Sequence, residues 1–153
     1  MNADVVLTSP ASRMDSHYRP PLALMYVASY YKSKGLKVKI LDYPFKQVVR
    51  TPKFIKDRNS TISILNGRII QDIVRIQPKI VGISCYSPEL QEVKELIVNI
   101  RKYSHVQPKI VVGGIHPTLK PIDFEGLSDY CIQGRLDNGL PEYSLVNMGY
   151  YTM

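Results

Sequence analysis

The apolar stretch Lys109-Ile-Val-Val-Gly-Gly-Ile-His-Pro-Thr118 ends on two adjacent glycines and an Ile-His-Pro turn, and it is the most informative segment of this chain. Its β-compatible residues suit a parallel strand that is covered on both faces. Gly113 and Gly114 place no side chain between the backbone and whatever lies beyond. The stretch therefore predicts a buried strand opening onto a ligand site, although glycine at a strand exit also serves simply to reach unusual backbone angles.

Length and composition indicate one ordinary domain. The chain has 153 residues, of which 44% are hydrophobic and 22% charged, as is typical of a globular protein with a single core. We expect this domain at residues 1–140 and a C-terminal tail at 141–153. No window approaches the roughly 20 apolar residues that span a bilayer, and the N-terminus lacks the features of a signal peptide. We therefore expect a cytoplasmic protein, with Cys85 and Cys131 as buried apolar residues.

The basic balance raises the possibility of nucleic-acid binding. The net charge is +7 and the isoelectric point is near 9.4, and clustered Lys and Arg neutralise phosphates. Here the basic residues are scattered, however, and no aromatic stacking motif lies among them. We predict a solvated charged surface and no nucleic-acid partner.

Strand and helix patterns alternate along the chain. Strands are predicted at residues 4–9, 37–42, 79–84, 109–112 and 129–133. Helices are predicted at 21–35, from Ser60 or Thr61 to Ile76, and after Ser87 through Ile100, with a helical turn at 117–125 and an extended connection at 43–59. Five strands separated by helices imply right-handed crossovers, hence a doubly wound parallel α/β sheet with helices on both faces.

Ligands of such sheets bind beyond the carboxyl ends of the strands. The loops expected there are residues 9–21, 84–87, 113–118 and 134–138. Neither a Gly-x-Gly-x-x-Gly motif nor a phosphate-binding Gly-Lys-Ser/Thr loop is present. The histidines lack metalloprotease spacing, and Cys85 has no assigned base, so hydrolytic catalysis has no support.

Four motifs carry a family resemblance. They are Arg19-Pro-Pro-Leu-Ala-Leu-Met-Tyr-Val-Ala-Ser-Tyr30, Val81-Gly-Ile-Ser-Cys-Tyr86, Val112-Gly-Gly-Ile-His-Pro-Thr118 and Asp129-Tyr-Cys-Ile-Gln-Gly134. In this order they resemble the cobalamin (B12)-binding domain found at the N-terminus of many radical-SAM enzymes, over roughly residues 4 to 134. The resemblance implies a flavodoxin-like, Rossmann-like five-stranded domain that holds a corrinoid at the carboxyl edge of its sheet, with the nucleotide tail inserted into the fold.

The resemblance also implies which residues contact the cofactor: Ser84, Tyr86, Gly113, Gly114, Ile115, His116 and Gly134. A large flat base and its ribose need a slot that any Cβ would narrow, and the Ser84 hydroxyl can supply a hydrogen bond inside it. Tail binding in that slot predicts that Gly114→Leu blocks uptake without unfolding the domain.

The first loop contains a candidate cobalt ligand. Asp15-Ser-His17-Tyr-Arg-Pro20 partly matches the Asp-x-His-x-x-Gly motif of cobalamin-dependent methyltransferases and mutases, in which the histidine ligates cobalt. Imidazole is a good cobalt ligand, and Asp15 could hold its other nitrogen. Pro20 stands where that motif has glycine, however, and the radical-SAM class usually lacks the histidine. His17 is kept as the one candidate metal ligand.

Two departures from the radical-SAM pattern limit what the chain can do. Gly134-Arg-Leu-Asp137 replaces the usual Gly-Glu-Gly-Glu, and the Cys-x-x-x-Cys-x-x-Cys motif that would hold an iron–sulfur cluster is missing. We therefore expect that the chain has no catalytic activity on its own. We expect it to be a fragment or a partner of a radical-SAM-type enzyme.

Three functions stay open. The first is a cobalamin-binding module that presents the corrinoid to a separate catalytic domain or subunit, for instance a radical-SAM enzyme or a methyltransferase. The second is a flavodoxin-like regulatory or interaction domain that has lost the cofactor, a view that Arg135 supports. The third, weaker option is a small nucleotide-binding enzyme that uses the same cleft.

Overall fold

The structure is a computed structural model that describes residues 2–11, 21–43, 58–134 and 150–152. Its strands are β1 (Val5–Thr8), β2 (Val38–Leu41), β3 (Ile80–Ser84), β4 (Lys109–Gly113), β5 (Tyr130–Gln133) and β6 (Tyr150–Thr152). Its helices are α1 (Leu22–Ser33), α2 (Arg58–Ile76), α3 (Leu90–Tyr103) and α4 (Ile115–Leu119), with 3₁₀ turns at Ser87–Glu89 and Pro121–Phe124. The predicted division between residues 140 and 141 lies outside these ranges.

The strands form one parallel sheet in the order β2-β1-β3-β4-β5-β6. The predicted doubly wound α/β architecture is confirmed, and the strand order reverses between β1 and β3, where such sheets bind ligands. The sixth strand, β6, is not predicted from the sequence pattern. In the register of β3 and β4, Ser84 lies beside Gly113. The parallel pairing thus brings two predicted site residues to the same edge.

The two faces of the sheet carry different helices, which confirms the prediction of helices on both. On one side, the α2–α3 face, the inward residues of α2 and α3 pack against alternate strand residues such as Val6, Val81 and Ile110. On the other, the α1 face, helix α1 packs against Val5 and Leu7. Strand side chains alternate between faces, so each strand residue faces one set of helices.

The helix stripes expected from the sequence are buried. Ile69 and Ile73 of α2 are 0% and 1% exposed, and burying such a side chain contributes about 1.5–3 kcal/mol. Helix α1 follows Pro21 and is followed by Gly35, whose φ is +81°, as expected of a residue that ends a helix. Helix α2 begins at Arg58, slightly earlier than predicted.

Arg101 fixes the start of β4 and β5 at the amino edge of the sheet. Its guanidinium donates to the carbonyl oxygen of Pro108 at 3.1 Å and to the Asp129 carboxylate at 2.7 Å. The same Asp129 carboxylate accepts the backbone N–H of Ile110 at 2.8 Å. Charge-assisted hydrogen bonds of this kind are the stronger ones, so they help set where both strands end on the opposite edge.

Both cysteines are buried and free, as predicted. Burial raises the pKa of the Cys85 thiol to about 12 and that of Cys131 to about 11. Because the thiolate is the nucleophile, neither group is activated at neutral pH. In the ranges given above, no helix combines the length and the apolar character needed to cross a membrane.

Candidate functional site at the carboxyl edge of the sheet

The loops that leave β3 and β4 are joined by backbone hydrogen bonds. The N–H of Cys85 donates to the carbonyl oxygen of Gly113 at 2.9 Å, and the N–H of His116 donates to the carbonyl oxygen of Cys85 at 3.2 Å. The predicted convergence of these two loops is therefore present. The bonds continue the β3–β4 pairing beyond the last strand residues and make the edge rigid.

Thr118 links this edge to the end of β5. Its hydroxyl donates to the carbonyl oxygen of Gly114 at 2.7 Å and accepts the N–H of Gly134 at 3.0 Å. The predicted site residue Gly134 has a φ of +82°, a conformation that glycine adopts readily. Thr118 is the last residue of the Gly-Gly-Ile-His-Pro-Thr motif, but its role as a link was not predicted. Its second partner, Gly134, comes from the end of β5, which is distant in sequence.

The two glycines at the end of β4 have different physical roles. Gly114 has a φ of +112°, and a Cβ there would stand 2.9 Å from the carbonyl oxygen of Cys85. A Cβ on Gly113 would meet only the Cβ of Ile132, at an ordinary 3.8 Å. The expectation that Gly114→Leu leaves the domain folded is therefore wrong. A side chain at Gly114 would collide with the backbone of the loop that leaves β3. Gly113 is the one that leaves usable space.

A strip of small residues lies on the α1 face between β3 and β4. It consists of Gly82, Ser84 and Gly113, all half-buried, and is called the β3–β4 strip below. The Leu7 side chain lies over Gly82, because a Cβ there would stand 2.6 Å from Leu7 Cδ2, so the open part of the strip is at Ser84 and Gly113. Within the described part of the chain, the Ser84 hydroxyl makes no hydrogen bond. The strip thus offers bare backbone and one uncommitted hydroxyl, which suits a flat, partly polar group.

Two apolar side chains stand exposed at the same edge. Tyr86 and Ile115 are each 54% exposed, and both were predicted site residues. The backbone N–H of Tyr86 donates to the carboxylate of Glu89 at 3.2 Å, and Glu89 itself is buried. Tyr86 is therefore presented by a fixed turn.

His116 is buried beneath this edge and is held from two sides. Its Nδ1 lies 2.9 Å from Ser87 Oγ and its Nε2 lies 2.7 Å from Asp123 Oδ2. The ring also packs edge-on against Phe124. His116 was predicted to contact the cofactor, but both of its ring nitrogens already have hydrogen-bond partners within the chain.

The hydrogen bond from His116 holds the pKa of the Asp123 carboxyl below its usual value. Asp123 is therefore a carboxylate at neutral pH, and the stabilisation that the bond supplies is lost only as the pH falls through that lowered pKa. The sequence pattern places Ser87 in one of the loops expected at this edge but does not predict its contact with His116, and it does not indicate Asp123. Ser87 lies 29 residues from His116, and only the β3–β4 pairing brings them together.

The loop after β1 begins close to this edge. The side chain of Asn66 in α2 accepts the N–H of Ala11 at 2.9 Å and donates to its carbonyl oxygen at 3.2 Å. The predicted ligand His17 follows in the same loop, but it lies outside the described residues. Among residues that are described, no group of three or more His, Cys, Asp or Glu is placed to hold a metal ion.

A groove of about 720 Å³ lies elsewhere, between α2 and α3. It is lined by residues such as Gln71, Glu92 and Asn99. None of the predicted site residues lines it. The groove is therefore separate from the edge that carries the candidate site.

Comparison with protein families gives one finding that covers most of the chain. The family model of the B12 binding domain matches residues 16–144. No curated protein sequence matches the chain.

Two solved structures share the fold. Both are of the radical S-adenosylmethionine methyltransferase TsrM from Kitasatospora setae, one with tryptophan substrate and a SAM analogue and one with cobalamin and a [4Fe-4S] cluster. The TM-scores are 0.58 and 0.54, with 19% and 20% sequence identity. Each similarity covers 82% of this chain but only 22% and 21% of the enzyme. The chain thus spans about a fifth of the length of TsrM.

Proposed function

The chain belongs to the family of B12-binding domains, and from this we propose that it holds cobalamin with the nucleotide tail in the β3–β4 strip and presents the corrin ring to a separate catalytic domain or subunit. The B12 cofactor follows from the family. The placement of the tail, the residues that contact it and the catalytic partner are the proposal.

The β3–β4 strip is the observation that carries the proposal. A nucleotide tail ends in a flat aromatic base, and Gly113 leaves backbone surface against which such a base can lie. The Ser84 hydroxyl is half-buried and uncommitted, so it can donate to or accept from the tail without breaking an internal bond. A leucine-sized side chain at Gly113 would occupy this space. The residues present therefore fit the group that the family binds.

The edge above the strip supports the same arrangement. Tyr86 and Ile115 supply apolar surface for one side of a flat macrocycle, and burying them there is favourable because both are exposed in the chain alone. The bonds from Cys85, Thr118 and His116 hold the three loops in one position. Preorganised loops lose little conformational freedom on binding, which favours affinity.

The bound cobalt would supply methyl-transfer chemistry, while the chain's own residues bind and orient the cofactor. We propose methyl transfer because TsrM, which shares the fold, is a methyltransferase that was solved with cobalamin. In that arrangement a radical-SAM enzyme or another methyltransferase acts as the catalytic partner. The described residues contribute no cluster of metal-ligating side chains to that partner's chemistry.

Gel filtration after mixing with hydroxocobalamin tests the proposal. We expect a red protein that keeps the corrin absorbance after free ligand is removed, in a ratio of about one cofactor per chain, as a single preformed site predicts. A colourless protein after mixing at about millimolar ligand would contradict cobalamin binding. That outcome would favour the regulatory domain without cofactor.

A variant of the first loop tests the remaining candidate ligand. If His17 ligates cobalt, His17→Ala is expected to shift the visible absorption spectrum of the bound cofactor, because water or no ligand would replace the imidazole. The comparison is made at saturating hydroxocobalamin, with His105→Ala as the matched control. Identical spectra for the parent and His17→Ala would exclude histidine ligation by this residue.

A further inference from the structure

Ser87 stands at the carboxyl edge with its hydroxyl tied to the buried His116. It is exposed and opens the 3₁₀ turn that follows Tyr86. Its Oγ lies 2.9 Å from His116 Nδ1, and the other ring nitrogen lies 2.7 Å from the Asp123 carboxylate. Three polar side chains thus form one line of hydrogen bonds that begins under the edge and ends at an accessible oxygen.

The direction of these bonds follows from the carboxylate. An ionised carboxylate only accepts hydrogen bonds, so Nε2 of His116 carries the proton and donates to Asp123. When the imidazole is neutral, the other nitrogen is an acceptor, and the Ser87 O–H then donates to Nδ1. The hydroxyl hydrogen is committed to the protein. The lone pairs of the Ser87 oxygen remain, so this oxygen can accept a hydrogen bond from a ligand but has none to give.

We propose that Ser87 is a binding residue for a primary amide of the corrin rim, with its acceptor polarity set by His116 and Asp123. The inference rests on the proposed function and deepens it. The corrin macrocycle carries acetamide and propionamide side chains, whose NH₂ groups are donors. The phosphate of the nucleotide tail, which only accepts, does not suit an oxygen that has no free hydrogen. The ribose hydroxyls of the tail can donate as well, so the assignment to the ring is tested with ligands that keep or lack the tail.

Ligands with and without the tail separate this inference from the proposed function. Kd is measured by equilibrium dialysis for hydroxocobalamin and for hydroxocobinamide, which keeps the corrin amides and lacks the nucleotide. We expect Ser87→Ala to raise Kd for both ligands by the same factor, about threefold to tenfold, as for loss of one hydrogen bond. Ser33→Ala, which changes an exposed serine at the far end of α1, is the control and should change neither Kd.

Each other result overturns the assignment. An unchanged Kd for hydroxocobinamide in Ser87→Ala shows that the hydroxyl does not contact the ring. A rise confined to hydroxocobalamin places the contact at the tail. A wild-type chain that binds hydroxocobalamin but not hydroxocobinamide has no corrin contact of measurable strength. If it binds neither ligand, the proposed function fails as well, whereas the first three results leave that function standing.

NMR tests whether His116 and Asp123 set the polarity of the Ser87 hydroxyl. The ¹⁵N chemical shifts of the wild-type His116 ring should show a proton on Nε2 and none on Nδ1, and the opposite pattern would overturn the assigned polarity. Asp123→Asn replaces the obligate acceptor by a side chain of the same shape. We expect it to raise Kd for hydroxocobinamide in the wild-type background and to have no further effect in Ser87→Ala. An equal rise in both backgrounds would show that Asp123 does not act through Ser87.

Discussion

Gly113→Leu is expected to weaken the binding of hydroxocobalamin about 100-fold while leaving the domain folded. The new side chain would fill the β3–β4 strip beside Ser84 and exclude a flat base. Losing the burial of a base costs about 3 kcal/mol, which corresponds to a Kd about 100-fold higher. The fold should tolerate the change, because a Cβ at this position meets only Ile132 at 3.8 Å and leucine suits a strand better than glycine. Equilibrium dialysis and circular dichroism measure the two effects.

Hydroxocobinamide distinguishes a blocked slot from a damaged site. Because it lacks the tail, its Kd should change little in Gly113→Leu. Gly67→Leu is the matched control, since it adds the same side chain at a position in α2 where a Cβ has no neighbour within 4 Å, and it should bind like the parent. An unchanged Kd for hydroxocobalamin in Gly113→Leu would show that the nucleotide tail does not bind in the β3–β4 strip.

Gly114→Ala is expected to lower the free energy of unfolding by about 2–4 kcal/mol. The methyl group would stand 2.9 Å from the carbonyl oxygen of Cys85 and 3.2 Å from its nitrogen, at a φ of +112°. Both neighbouring atoms are backbone and belong to the loop that leaves β3. Relief therefore requires moving one strand exit away from the other. Urea unfolding monitored by circular dichroism measures the loss.

The control for this prediction is the same substitution in a helix. Gly67→Ala is expected to stabilise the domain by about 0.5–1 kcal/mol, because glycine inside a helix costs conformational entropy and this position has open space. Opposite signs for the two variants would support the assigned roles. A loss below about 0.5 kcal/mol in Gly114→Ala would show that the crossing of the loops is not constrained as described.

Much of the fold could be predicted because its signals are local. The apolar spacing of Ile69 and Ile73 in α2 marks a buried helical face over a few turns. Alternation of strands and helices then implies a parallel sheet, since short connections through helices leave little other choice. β6 was missed because three residues, Tyr150–Thr152, carry too short a pattern to indicate a strand.

Part of the candidate site was likewise predictable. Ser84, Gly113 and Gly134 follow or end predicted strands, and the carboxyl ends of parallel strands meet at one edge. The sequence could not separate the two adjacent glycines, since the difference lies in what each one's missing Cβ would touch. It also could not find Ser87 or Asp123 as partners of His116, because neither has a spacing that signals the contact.

Local periodicity and short motifs were enough to predict the alternation of elements, the parallel sheet and the resemblance to a B12-binding domain, because they are properties of neighbouring residues. Three-dimensional packing was needed to show that Gly114 lies where two loops meet, that Gly113 leaves open space, and that both ring nitrogens of His116 have partners within the chain. These are distances between residues far apart in sequence, and the pairing of β3 with β4 creates them.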